Sequence, residues 1–323
     1  MLAYKVASVI NMRESARIEG DILSGNRRKV RFKDKAVDGL IMFILMLIVI
    51  VTVYPFLNVL AISFNDAGDT IKGGIHIIPR VFTLRNYKEV FKDPILITAF
   101  MNSVIRTCIG SGLGVISTMM VAYVISRKDF FARKVVANIF AITMYISGGM
   151  IPEFLLIKEL GMINSFSVYI IPGIIGVYYI YIVRSFIDGL PSALQEAACI
   201  DGANDLQIFI RIILPLCKPV MATIGLYYAV SHWNSWFDTY IFNSANPKLT
   251  TLQYELMKVL NNSNTAASGQ MLKMKQHLQT TQTISPQSIR MAITIVATVP
   301  ILIVYPFVQK YFVQGMTLGA VKD

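Results

Sequence analysis

Between Asp38 and Asp66 lie 27 consecutive residues with no acidic, basic or histidine side chain, most of them Leu, Ile, Val, Met or Phe. About 20 apolar residues suffice to carry a helix across roughly 30 Å of hydrocarbon. Further apolar stretches follow, giving six candidate spans at roughly 38–63, 95–125, 135–152, 166–187, 218–237 and 289–309. The first, third and last are clean runs. The second is long enough to tilt. The fourth holds Pro172, Gly173 and Gly176 and is expected to kink or break, and Ser231, His232, Asn234 and Ser235 dilute the outer end of the fifth. Charged residues make up only 15% of the chain against 54% apolar, less charge than a soluble domain carries. The expected class is therefore an all-α integral membrane protein with six transmembrane helices. The first run follows the basic lead 1–36 and is too long for a cleaved signal, so it reads as an uncleaved anchor.

An even number of spans puts both termini on one side. With both in the cytoplasm, the inside segments 1–35, 126–134, 184–218 and 309–323 carry 18 Lys/Arg in 94 residues. The outside segments 66–93, 152–167 and 238–290 carry 11 in 97, so the positive-inside bias supports cytoplasmic termini. The net charge of +11 owes much to the lead, which includes Arg27, Arg28, Lys29 and Arg31. Beside a span such a segment faces anionic membrane lipid, and no nucleic-acid partner is expected. The domain reading is a basic cytoplasmic tail, 1–36, and a six-span domain, 37–323, with an inner loop 188–217, an outer loop 238–288 and a cytoplasmic C-terminal tail 309–323.

The inner loop carries Glu196-Ala197-Ala198, then Asp201-Gly202, and nine residues later Ile212, Leu214 and Pro215. Ser192 with Gln195, and Asn204 with Gln207, have capping-box spacing. Gly202 can take a positive φ between two short helices. The loop thus reads as helix, glycine hinge and helix, ending at Pro215. The template E-A-A-x3-G-x9-I-x-L-P resembles the cytoplasmic coupling loop of permease subunits in bacterial ATP-binding-cassette importers. Glu196, Ala197, Ala198, Asp201, Gly202, Leu214 and Pro215 match that loop, which the resemblance assigns to docking on an ATPase and to a type I importer fold with a cytoplasmic coupling helix.

Two more stretches carry the likeness. The tail from Gln309 to Lys322 is similar to that of carbohydrate-uptake permeases, the maltose-permease family. Trp233-Asn234, Asn86-Tyr87 and Asn102-Ser103 fall where that family has the same pairs. The basic lead and the apparent insertion at 258–288 resemble the polysaccharide and complex-oligosaccharide branch of Gram-positive bacteria. The resemblance implies an importer of an oligosaccharide or polysaccharide fragment in the bacterial cytoplasmic membrane. Its partners would be a second permease subunit, two ATP-binding subunits and an extracytoplasmic solute-binding protein, which the loop between spans five and six would probe. It implies no cofactor in this chain, with ATP and Mg in the partner ATPase subunits. The chain itself has no GxxxxGK[ST] phosphate loop, and it is read as a non-catalytic subunit.

Candidate substrate-path residues are Tyr178, Tyr179, Tyr181, Trp233 and Asn234, whose rings could stack on sugars and whose polar atoms could bond sugar hydroxyls. Each has a plainer reading, interfacial anchoring for tryptophan and helix–helix bonding for tyrosine. Arg106 is the one cation deep inside a span, either functional or paired with a carbonyl or a partner subunit. His76, His232 and His277 lack metal spacing, and Cys108, Cys199 and Cys217 form no disulfide or zinc pattern. The alternative function, a secondary transporter or channel, expects acidic or histidine residues within spans, and a membrane-embedded enzyme expects paired carboxylates or a nucleophile constellation. Spans two to six are nearly free of both.

Overall fold

Where no water reaches the backbone, each N–H must find its carbonyl within its own segment, and the long apolar runs are accordingly helices. The computed structural model describes residues 32–266 and 286–320, and among them the sole strand-like feature is an isolated bridge between Asn65 and Phe82. The basic lead 1–31, the stretch 267–285 with His277, and residues 321–323 lie outside the described residues. The chain forms two units, one of residues 1–87 and 282–292, the other of residues 88–281 and 293–323.

In the first unit α1 (Phe32–Ser63) is largely exposed over residues 37–57, with Phe43, Val51 and Phe56 open, and buries Ala61, Ile62 and Ser63 at its end. A knot of amides closes its end. Buried Asn65 donates to Asp69 and Thr70 (both 3.1 Å) and accepts from the N–H of Val81 (2.9 Å). Asp66 caps the short α2 (Ala67–Thr70), and α3 (Arg85–Lys92) supplies Asn86, whose amide donates to the carbonyls of Ser63 and Asn65 (2.9 Å each). The Asn65 amide, with Arg80 behind it, holds the Asp69 carboxyl below the usual carboxylate range.

The second unit begins with α4 (Pro94–Ser126), capped by Asp93 with proline at its first position, where the missing N–H costs nothing. The third apolar run, read as one span, is two helices, α5 (Arg133–Thr143) and α6 (Met150–Glu159). Gly149 at φ +86° supplies the turn before α6. The fourth run breaks as its Pro-Gly content indicates. A 3-10 turn at Phe166–Tyr169 is followed by irregular chain, and α7 (Val177–Asp188) starts after Gly176. Next come α8 (Ser192–Ile200), α9 (Asp205–Leu216) and α10 (Lys218–Asn234), with α9 and α10 meeting at 80° about Cys217. Pro215 and Pro219 explain that bend, since neither can donate to the carbonyl four residues back. α11 (Leu252–Ala266) and α12 (Pro286–Ala320) complete the chain, and α12 continues through Pro300 and Pro306 past the expected end of the last span. Among the described residues three helices are long and apolar enough to cross a membrane, four if the bent pair α9–α10 is one span.

α4 and α10 pack closely because α4 offers glycines to rings on α10. A Cβ on Gly110 would lie 2.4 Å from the His232 ring, and one on Gly114 would lie 2.8 Å from Tyr228. The Tyr228 hydroxyl bonds Thr118 and accepts from the N–H of Gly176 (2.8 Å each), pinning the start of α7 to α4.

Candidate coupling loop and substrate path

α8 ends in a glycine stop. The N–H of Gly202 bonds the carbonyl of Cys199 (3.1 Å) and that of Ala203 bonds Ala198 (2.9 Å), the paired bonds of a Schellman motif. Gly202 has φ +78° and no heavy atom within 4 Å of a built Cβ, so the demand for glycine is in the backbone and not in a neighbour. Asn204 and Gln207 form the expected capping box at the start of α9 (2.9 and 3.0 Å). Ser192 and Gln195 do not form the other. The N-cap of α8 is Pro191, and Gln195 instead accepts from Arg127 at 3.4 Å. Arg127 sits just past α4 and also pairs with Asp129 and Asp205 (2.9 Å each). Its hydrogen bond holds the Asp129 carboxyl below the usual range.

The loop has two faces. Ala198, Ile208, Phe209 and Ile213 are buried in one apolar cluster with Met119, Ile125, Ile180 and Ile187 of α4 and α7. Glu196, Ala197 and Asp201 are exposed, as are Leu194, Leu206 and, at 87%, Ile200. A nearly bare isoleucine one helical turn from Glu196 marks a surface built to be covered. The Ala197-Ala198 pair is thus divided, one residue outward and one inward. Leu214 is half-buried and Pro215 exposed, just before the 80° bend.

At the other end of α4, three side chains grip the segment after α10. Asn102 donates to the carbonyls of Lys248 (2.8 Å) and Thr250 (2.9 Å), and Ser103 accepts from the N–H of Leu252 (2.9 Å). Arg106, only 2% exposed, meets Asp238 through two guanidinium nitrogens and lies 4.4 Å above the Tyr169 ring. Its partner is therefore within the chain.

Residues 22–318 match the family described as the binding-protein-dependent transport system inner membrane component. The chain belongs to that family. This permease is similar to the polygalacturonan/rhamnogalacturonan transport system permease protein YtcP of Bacillus subtilis (strain 168), with 36% identity over 90% of this chain and 99% of the relative. It is also similar to the protein LplC of the same organism, with 35% identity over 84% of this chain and 90% of the relative. A crystal structure of a bacterial ABC transporter that imports the acidic polysaccharide alginate contains a chain with a TM-score of 0.79. That chain is 27% identical, and the match covers 88% of this permease and 99% of it. The permease is an all-α integral membrane protein, and as a member of this family it is a non-catalytic subunit whose ATPase is a separate chain.

The sequence-derived path residues separate in the permease. Tyr178 is 60% exposed and edge-on to Tyr179, and Tyr179 stacks on Tyr227 with centroids 5.9 Å apart. Tyr181 donates its hydroxyl to the carbonyl of Ala137. Trp233 is buried and donates to the carbonyl of Ala297 (2.9 Å), and the Asn234 side chain accepts from Gln253 (3.0 Å). Tyr178 and Tyr179 therefore stand together, while Tyr181, Trp233 and Asn234 are engaged elsewhere. Tyr227 and Arg127 join these contacts without carrying any sequence motif.

Proposed function

We propose that this permease belongs to an importer that carries an oligosaccharide or polysaccharide fragment across the bacterial cytoplasmic membrane, driven by ATP hydrolysis in two partner subunits. The observation that carries the reading is the two-faced inner loop. One face merges with the apolar cluster of α4 and α7, and the other bares Glu196, Ala197 and Ile200. A surface held that way can pass the motion of a docked motor to the spans. The assembly includes a second permease subunit and an extracytoplasmic binding protein that meets the loop between the last two spans. The chain crosses six times with both termini in the cytoplasm, in keeping with the charge bias of its loops. ATP and Mg sit in the ATPase subunits, and Glu196, Ala197, Asp201 and Gly202 form the docking region, with Leu214 and Pro215 at its return to the membrane.

Sugar specificity is proposed from the relatives' names, which concern polygalacturonan and rhamnogalacturonan, and from the alginate importer. Exposed Tyr178 with the stacked pair Tyr179 and Tyr227 offers flat faces of the kind that sugar rings pack on. An ion-coupled transporter would draw on acidic or histidine side chains at membrane depth, but Asp238 is closed on Arg106. The test is to purify the complex in lipid nanodiscs and measure its ATPase with the binding protein loaded with acidic oligogalacturonides, or with neutral arabino- or galacto-oligosaccharides. Stimulation by one class names the substrate. Uptake that persists when the ATPase subunits carry a hydrolysis-dead substitution would overturn the reading.

A further inference from the structure

α4 is gripped at both ends by segments with different tasks. Near its start Asn102 holds the carbonyls of Lys248 and Thr250, and Arg106 closes on Asp238 with its guanidinium fork. Just past its end Arg127 holds Asp205 and Gln195, one on each short helix of the inner loop. The two arginines are about 20 residues apart, on the order of 30 Å of helix. Between them Gly110 and Gly114 receive the rings of His232 and Tyr228, so the middle of the helix is braced. Forked contacts fix direction as well as distance. A shift or rotation of α4 must therefore move both gripped segments together.

We propose that α4 is the strut that carries the position of the outer segment 248–252 to the coupling loop, with Asn102 and Arg127 as positioning residues at its two ends. The inference rests on the functional reading above, which turns the outer segment toward the binding protein and the inner loop toward the ATPases. A single strut makes a specific statement about energetics. Once either grip is lost the connection is gone, and losing the second costs nothing more.

The experiment is a double-mutant cycle in the purified complex, with ATPase rate measured against concentration of the sugar-loaded binding protein. The outer variant is Asn102→Leu, which removes two hydrogen bonds from a half-buried residue and leaves the buried Arg106 in place. The inner variant is Arg127→Gln, with Arg127→Lys as the conservative control. Each of the first two should cut the ratio of stimulated to unstimulated rate about fivefold, with the half-stimulating concentration unchanged and the subunit ratio intact. The double variant should show the same fivefold loss, and Arg127→Lys should recover most of it. Losses that multiply to about 25-fold in the double variant would overturn the strut. So would a shifted half-stimulating concentration at unchanged maximum, which places Asn102 in docking alone, or a failure of complexes to assemble with Arg127→Lys, which makes the inner grip merely structural. A wild-type complex that no loaded binding protein stimulates would instead overturn the functional reading on which the strut rests.

Discussion

At Gly110 and Gly114 a hydrogen atom separates two helices from collision. The nearest ring atoms of His232 and Tyr228 would stand 2.4 and 2.8 Å from an added Cβ, under any tolerable contact. Gly114→Leu should therefore force α4 and α10 apart, at a cost of about 1–3 kcal/mol or more. The measurement is the thermal midpoint of the detergent-solubilised complex. Gly110→Ala is the sharper case, because His232→Ala should recover part of its loss by vacating the space. A double variant no better than Gly110→Ala would show that the ring is not what the glycine accommodates. Gly202 illustrates the other use of glycine. Its φ of +78° strains any branched side chain by about 1–3 kcal/mol although the space is open. Gly202→Val should impair uptake while Gly202→Asn, which tolerates this backbone, keeps most of it. Equal uptake by the two would remove the backbone argument. The hinge glycine was legible in the sequence because a helix stop followed by a second cap is a local pattern. The close-packed pair was not, because nothing local says which rings arrive from more than a hundred residues away.

The same division runs through the elements. The capping box of Asn204 and Gln207 could be read in advance, since both partners lie within one turn. That of Ser192 and Gln195 has the right spacing and does not form, as Arg127, 68 positions earlier, donates to the side-chain amide oxygen of Gln195. The fourth apolar run announces its break through Pro172, Gly173 and Gly176. The third breaks between Thr143 and Met150 with only Ser147, Gly148 and Gly149 to mark it, in a run that hydropathy alone joins. The coupling helix α8 was legible as an element, but which of its alanines faces outward was not, as that depends on where the cluster of α4 and α7 lies. Its exposed charge sets an expectation. Glu196→Lys should leave the complex in the membrane and lower sugar uptake at least tenfold, because reversing one member of a docking pair costs about 2–5 kcal/mol. Ile200→Asp should do the same through lost apolar contact. Wild-type uptake by Glu196→Lys at equal expression would remove the charge from docking.

For the whole molecule, class and membrane location were plain from apolar bunching, while the division of the chain into two units was not, since residues 286–292 join the N-terminal unit across nearly 200 residues of sequence. Within the apparent insertion 258–288, the stretch 261–284 is polar and too poor in apolar side chains to bury a core. Its deletion should leave assembly unaffected and weaken stimulation by the binding protein. A stimulation curve unchanged by the deletion would make the insertion a spacer. The Arg106–Asp238 pair has a consequence in time. The two residues are 132 positions apart, so at about 5–20 residues per second Asp238 is synthesised roughly 7–26 s after Arg106. For that interval α4 carries a guanidinium with no counter-ion, a burden of about 2.5–3.5 kcal/mol at a helix centre. The nascent helix is then expected to wait at the membrane surface until α10 and Asp238 arrive. In a variant whose only cysteine is Cys108, a chain stopped after Asp188 should label with a membrane-impermeant maleimide more readily than the finished protein, and equal labelling would mean that the arginine enters the membrane unescorted.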